Sequence, residues 1–314
     1  MRGIAALGVV AYHYDENDFY YGLLGVELFF VISGFVILMS LEKANSLAEF
    51  ALHRAARLYP AYWLSVFVAG GFLLAAGRTS IETVLVNATM LQGFFNRRDL
   101  IDPYWTLTYE LWFYVMTAAL LALGGIRYVD RFALAWIITM TGLRVAMLLT
   151  HHGHGVFDFW LFRLLFMPLF GNLFIAGMML YRLHSGRTNP ATWIALLAAG
   201  IYSSFGRPDW AAITPTIYFC ANTALIGAVY LATTRLALTN RALVWLGACS
   251  YSLYLLHEAV FMIVGHSLLA IAVAIMLARL SRAYIERPAQ LWARGKKRLV
   301  NVFAASLHEG LNDQ

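Results

Sequence analysis

In the segment RGIAALGVVAYH, eleven steps lead from Arg2 to His13, close to three turns of an α-helix. A helix there sets a guanidinium and an imidazole on one face. An imidazole that titrates near pH 6.5 can take a proton from a hydroxyl at neutral pH, although two such residues can also simply reach the two ends of a membrane span. Arg54 and Arg57 in HRAARLYPAYW are three apart and again share a helix face. Two guanidiniums so placed form a fork for phosphate or pyrophosphate, or else an ordinary basic flank. Glu110 lies in PYWTLTYELWFY among Trp105, Tyr109, Trp112 and Tyr114. A carboxylate in such surroundings must meet a cation or water, or hold a proton. Arg144 and Arg163 are the candidate partners.

Other polar groups fall in apolar segments. GVELFFVISGFVI carries Glu27 and the pair Ser33-Gly34, which suit either a site network or helix packing at a water boundary. In CSYSLYLLHEAV, Ser250, Tyr254 and His257 follow at spacings of four and three, a polar stripe for a water-lined cavity or for interhelical hydrogen bonds. His151, His152 and His154 form an HHGH run in a short glycine-containing loop, where no metal centre is expected.

The elements that must position these groups are membrane helices. Of 314 residues, 61% are hydrophobic and 13% charged, with a mean hydropathy of +0.66. That is about half the charge of a soluble domain. Apolar runs fit helices over 2–14, 23–41, 58–76, 104–123, 132–150, 159–181, 191–205, 212–232, 243–264 and 267–284. The segment 81–95 is too short to cross and is expected as an interfacial or re-entrant helix. Pro60 and Tyr59 suit the entry point of the third run. Lys43, Arg54, Arg57, Arg127, Arg131, Arg182, Arg187, Arg235 and Arg241 fall in alternate loops, opposite Asp15, Glu16, Asp18, Asp99, Asp102, Asp158 and Asp209 with a few arginines such as Arg207. This asymmetry predicts an all-α, polytopic bundle of about ten spans with both termini cytoplasmic. The net charge of +6 then belongs to membrane topology and lipid contact rather than to nucleic acid. The division expected is one membrane domain over 1–290 and a basic cytoplasmic tail over 291–314, with no cleavable signal peptide.

Read together, RGIAALGVVAYH, GVELFFVISGFVI, the R-x-x-R from Arg54 to Arg57 with RLYPAYW, WTLTYELWFY, YSLYLLH and a closing ERP at Glu286 to Pro288 stand in the order of a known family. The chain resembles the acyltransferase-3 family of bacterial membrane acyltransferases, which acylate surface polysaccharides and related molecules. The resemblance spans Arg2 to Pro288, with glutamate at position 27 where the family usually has aspartate. It implies an acyl-CoA co-substrate, acetyl-CoA in kind, entering from the cytoplasm, no bound cofactor, and a hydroxyl of a carbohydrate or related molecule as acceptor, in the bacterial inner membrane. It implies His13 as the catalytic histidine, Glu110 as a further site carboxylate, and Arg2, Arg54 and Arg57 as donor-binding residues. Glu27, Ser33, Trp105, Tyr254 and His257 are the expected surrounding network.

The chemistry expected is O-acyl transfer, with neutral His13 as general base on the acceptor hydroxyl and direct attack on the thioester. Arg54 and Arg57 hold phosphates, while Arg2 orients the donor or stabilises the oxyanion. An acyl-histidine route is the other possibility. The rival class is a transporter or flippase for a lipid-linked sugar, which would be expected to show inverted repeats or paired broken helices.

Overall fold

In the computed structural model, residues 1–123, 125–149, 160–207, 213–235 and 240–295 are described. The histidine run at 151–154, Asp158, Asp209 and the tail from 296 lie outside them. Twelve α-helices occur among the described residues: α1 (Arg2–Tyr14), α2 (Leu24–Lys43), α3 (Leu47–Ala75), α4 (Ile81–Ala88), α5 (Tyr104–Ala122), α6 (Val129–Leu149), α7 (Trp160–Phe166), α8 (Gly171–His184), α9 (Pro190–Tyr202), α10 (Pro215–Thr234), α11 (Arg241–Val264) and α12 (Leu268–Ser281). Among the described residues, six helical stretches are long and apolar enough to cross a membrane: Tyr20–Lys43, Leu47–Ala75, Arg163–His184, Pro215–Thr234, Arg241–Val264 and Leu268–Gly295.

Three expectations are corrected by the geometry. Pro60 does not mark a helix entry. α3 starts at Leu47, where the Ser46 side chain accepts from Glu49 N–H, and Pro60 lies inside its 29 residues. The segment 81–95 is helical only to Ala88, because Met90 and Asn96 take positive φ and turn the chain. The run 159–181 breaks at Met167, whose φ is +48° just before Pro168. Proline disfavours helical backbone in the residue before it and brings no N–H of its own. The carbonyls exposed by the break find side-chain donors. Trp112 Nε1 donates to Leu165 O and Trp136 Nε1 to Phe166 O, both at 2.9 Å, and Tyr202 OH donates to Pro168 O at 2.6 Å.

The core is built around α2, which packs along α8 and beside α1, while α1 also lies along α11 and α11 along α12. Small residues make the closest approach possible. A Cβ on Gly177 would collide with the Val31 carbonyl, and one on Gly34 with the Phe174 carbonyl. In hydrocarbon, such backbone proximity is a main source of helix–helix attraction.

The loop between α4 and α5 is pinned to α3. Tyr62 OH donates to Asn87 O at 2.6 Å, Trp63 Nε1 to Ala88 O at 2.9 Å, and Tyr59 OH to Thr89 O at 3.0 Å. The Asn87 amide donates to Arg98 O and its oxygen accepts from Leu100 N. Gln92 Nε2 donates to Asp99 Oδ1 at 2.8 Å, yet burial still pushes the Asp99 carboxyl up to about 6. These bonds fix where Asp102 emerges.

Two outcomes are expected. Gly177→Ala costs about 3 kcal/mol through overpacking, read as a lower thermal midpoint in detergent, whereas Gly227→Ala, with nothing near its added Cβ, does not lower it. For Asp99, a carboxyl harder to ionise when folded keeps its proton longer in the folded state. Stability therefore falls as pH rises from about 4 to about 6 and levels off above. Thermal scans across that window should show this slope flattened in Asp99→Asn.

Candidate active site

Arg2 and His13 mark two ends of one site, set on one face of α1 and separated along its axis by ~17 Å at 1.5 Å per residue. Between them, α1, α2, α5 and α11 form a partly open cavity lined by Arg2, Phe29, Ser33, Thr106, Glu110, Tyr251 and Tyr254 among others. Glu110 Oε1 accepts from Ser33 Oγ at 2.7 Å and from Tyr114 OH at 2.5 Å. Its hydrogen-bond partners are thus hydroxyls. Arg144, one of the two arginines expected to meet it, donates instead to the carbonyls of Phe205 and Gly206. Arg2 lies over the Phe29 ring at 5.7 Å, with Nε 3.4 Å from Ser250 Oγ.

Toward the far end, the Thr106 and Tyr254 hydroxyls are 2.8 Å apart. One turn further along α11, His257 is wholly buried, its Nδ1 3.1 Å from Leu253 O and its Nε2 3.2 Å from His13 Nδ1. His13 Nδ1 also lies 3.0 Å from Val9 O, and its Nε2 is 3.3 Å from Asp102 Oδ2. Asp102 is largely exposed, so this end opens to the surroundings. His13, His257 and Glu258 bring three potential ligand atoms within 4.8 Å of one another. Both Nδ1 atoms, however, face carbonyls of their own helices and are therefore N–H groups. The histidines are joined by a hydrogen bond rather than poised as two lone pairs.

At the Arg2 end lies a second, basic pocket lined by His53, Arg54, Arg57, Gln290 and Arg294. Arg57 pairs with the buried Glu286 and lies at 5.1 Å over the ring of Tyr251, which lines the first cavity, so the Arg57–Tyr251 contact separates the two spaces. Ser252 Oγ donates to Glu286 Oε1 at 2.5 Å. Arg54 Nη2 donates to Ser40 Oγ at 3.2 Å, while its Nε, His53 Nε2 and Gln290 Nε2 are buried without a hydrogen-bond partner among the described residues. Three unmatched nitrogens beside two further arginines are what an anionic oxygen ligand would fill.

The structure therefore draws together Arg2, Ser33, Glu110 and Tyr254 on one cavity, His13 and His257 at its far end, and Arg54 and Arg57 at its near end. Two expected network members stand apart. Trp105 belongs to an aromatic cluster with Phe30, Tyr109 and Phe170. Glu27 is fully buried in an ion pair with Arg207 at 3.0 Å, and Arg207 lies over Phe170. Glu27 therefore does not mark a water boundary; Arg207, in the connection ahead of α10, balances a carboxylate whose burial alone would cost several kcal/mol.

Sequence reasoning missed Asp102 as a partner of His13, and His53, Gln290 and Arg294 as pocket residues. A signal existed for part of this: Glu286, Gln290 and Arg294 follow at spacings of four, one helix face behind the ERP segment. Asp102 reaches His13 through the loop alone, which has no periodicity to read.

The chain is similar to a Bacillus subtilis (strain 168) protein named as a candidate peptidoglycan O-acetyltransferase, YrhL, at 26% identity over 92% of this chain and 54% of that one. It is also similar to nodulation protein 10 of Rhizobium leguminosarum bv. viciae, at 29% identity over 33% of this chain and 34% of that one. A third likeness is to the exopolysaccharide production protein ExoZ of Rhizobium meliloti (strain 1021), at 34% identity over 32% of this chain and 35% of that one. The chain spans about half the length of the first of these and about a third of the other two. No solved structure matches it. Residues 1–285 match the acyltransferase-3 model, described as an acyltransferase domain, and the chain belongs to that family.

Proposed function

We propose that the protein is an O-acyltransferase of the bacterial inner membrane that moves an acetyl group from acetyl-CoA to a carbohydrate hydroxyl. The observation that carries this reading is the chain of sites from the basic pocket at Arg54, past Tyr251 and the Glu110 cavity, to His13 beside Asp102. A donor with phosphates at one end and a thioester at the other matches that layout. The relatives named for peptidoglycan O-acetylation and exopolysaccharide production favour a glycan acceptor over a transported one.

In this reading α1, α2, α3, α5, α6, α7 with α8, α9, α10, α11 and α12 make ten crossings, with both termini cytoplasmic and the basic tail against anionic lipid. The donor enters from the cytoplasm. Arg54, His53, Gln290 and Arg294 hold its phosphates, and Arg57, anchored by Glu286, closes the pocket wall. Arg2 orients the donor arm within the cavity. Its distance from His13, ~17 Å along the helix, excludes it from stabilising an oxyanion formed there. The hydroxyls of Thr106 and Tyr254, bonded here to each other and to Pro103 O, turn from that carbonyl to take the role, one helical turn from His257. Glu110, held by Ser33 and Tyr114, balances Arg2 on the cavity wall. The acceptor hydroxyl comes from the outer side to His13 Nε2, the position Asp102 now faces. His13 removes its proton as the oxygen attacks the thioester carbonyl. The tetrahedral adduct then expels CoA thiolate, which receives that proton, leaving the O-acetyl ester. Transfer is direct, with no acyl-histidine.

The test is thiol release from acetyl-CoA by purified protein with soluble N-acetylglucosamine oligomers. His13→Ala should lower turnover by about 100-fold or more. Arg54→Ala should raise the donor KM about tenfold or more, as expected for losing charge-assisted hydrogen bonds, with kcat less affected. No labelled acyl-protein should be trapped from [14C]acetyl-CoA. Turnover indifferent to His13, or a label that vanishes with His13→Ala, would overturn the reading or its direct step respectively.

A further inference from the structure

We propose that His257 is a positioning residue that sets the tautomer of His13. The inference rests on the reading of His13 as the base, and it is argued from a proton count along three hydrogen bonds. His257 is completely buried, and its Nδ1 lies 3.1 Å from Leu253 O, the carbonyl four residues earlier in α11. A carbonyl only accepts, so that nitrogen carries the hydrogen. In the neutral ring the other nitrogen, Nε2, then carries the lone pair, and it lies 3.2 Å from His13 Nδ1. His13 Nδ1 is thus offered two acceptors, His257 Nε2 and Val9 O at 3.0 Å, and it too must be N–H. The Asp102 carboxylate also only accepts, so His13 Nε2 holds a hydrogen while it faces Asp102; when that proton is given up, the lone pair of neutral His13 falls on Nε2, toward the open end of the site.

Without His257 the preference weakens. Val9 O alone still favours the same tautomer, but a free imidazole prefers neither ring nitrogen strongly, and the space left by the second ring removes the lateral contact that orients His13. The two rings stand edge to face with centroids 5.0 Å apart, and Phe261 packs on His257 from the other side at 5.9 Å. His257 is therefore held by its own helix and by Phe261 before it holds His13.

The same bond gains strength during the reaction. When His13 takes a proton at Nε2, its Nδ1–H becomes the donor of a cation, and hydrogen bonds from charged groups are roughly twice as strong as neutral ones. Asp102 at 3.3 Å and Glu258 nearby face the new charge. His257 contributes more to the protonated state than to the resting one, which is the property that lowers a barrier rather than tightening substrate binding. The sequence is consistent with a helix built to present this pair: Ser250, Tyr254 and His257 on one face of α11 contact Arg2, Thr106 and His13 in turn.

The experiment combines ring 15N signatures of histidine-labelled protein in nanodiscs with thiol release from acetyl-CoA and N-acetylglucosamine oligomers. In the unsubstituted protein the neutral His13 signal, assigned by its loss in His13→Ala, should report hydrogen on Nδ1. His257→Leu should show mixed tautomers and a kcat lower by about 10- to 100-fold, with donor and acceptor KM changed less than about threefold. His257→Gln, whose side-chain oxygen can accept from His13 Nδ1–H, should recover most of the loss. Hydrogen on Nε2 in the unsubstituted protein would overturn the proposal even if His257→Leu failed to fold. So would a His257→Leu enzyme with unchanged kcat, or a Gln variant no better than Leu. If His13→Ala retained full turnover, the reading of His13 as base would fail, and the 15N spectrum would still decide the tautomer lock.

Discussion

Glu286 is the point on which the basic end of the bundle turns. A carboxylate fully withdrawn from solvent must have its charge balanced and its lone pairs used, or its burial costs several kcal/mol. Here Arg57 arrives from α3 and Ser252 from α11, while Arg282 stands one turn back at 4.0 Å. Three helices are tied at one carboxylate. The backbone adapts to this: Arg282–Glu286 form a π turn between α12 and its continuation to Gly295, just ahead of Pro288, which has no N–H to place in a regular turn. Once Glu286 is seated, the spacing of four puts Gln290 and then Arg294 at the same face, beside His53 and Arg54. The basic pocket is thus a consequence of where one buried carboxylate had to go.

Elsewhere in the bundle, too, polar groups tie helices to one another. Asp130 accepts from Arg182 at 3.1 Å, Asn189 at 2.9 Å and Thr192 at 2.8 Å, which joins α6 to α8 and to the capped start of α9. Glu27 and Arg207 neutralise each other, and the carbonyls freed at Pro168 are taken up by two indoles and a phenol. Buried polar atoms without a hydrogen-bond partner among the described residues also occur elsewhere, at Asn172, Arg182 and Asn222 for example, but in the basic pocket Arg54, His53 and Gln290 gather three such nitrogens beside two further arginines, a grouping that suits an anionic ligand.

Much of the fold was legible because hydrophobic length is a strong signal: all ten predicted runs contain helix, and α1 begins and ends within a residue of its predicted bounds over the described residues. The failures have local causes. Pro60 was read as a boundary because proline usually is one, but Ser46 offered a better cap fourteen residues earlier. Pro168 was passed over inside a continuous apolar run, where hydropathy cannot see backbone geometry. Within the site, residues on one helix were placed correctly relative to one another, as Ser250, Tyr254 and His257 show. What spacing could not give was partnership between helices. Glu110 met hydroxyls rather than an arginine, and Glu27 found Arg207, 180 positions away. Such pairings depend on topology, and a single sequence carries no record of it.

The single face of α1 ties these features to one chemistry. Arg2 meets Ser250 at one end of that face and His13 meets His257 at the other, ~17 Å further along the axis. The loop pinned by Asn87, Gln92 and Tyr62 brings Asp102 to His13 Nε2 from outside the helix pair. In the reading proposed above, the donor's phosphates and the acceptor hydroxyl engage opposite ends of this one face. The phosphates then stay at the basic end, and only the thioester arm has to reach the base.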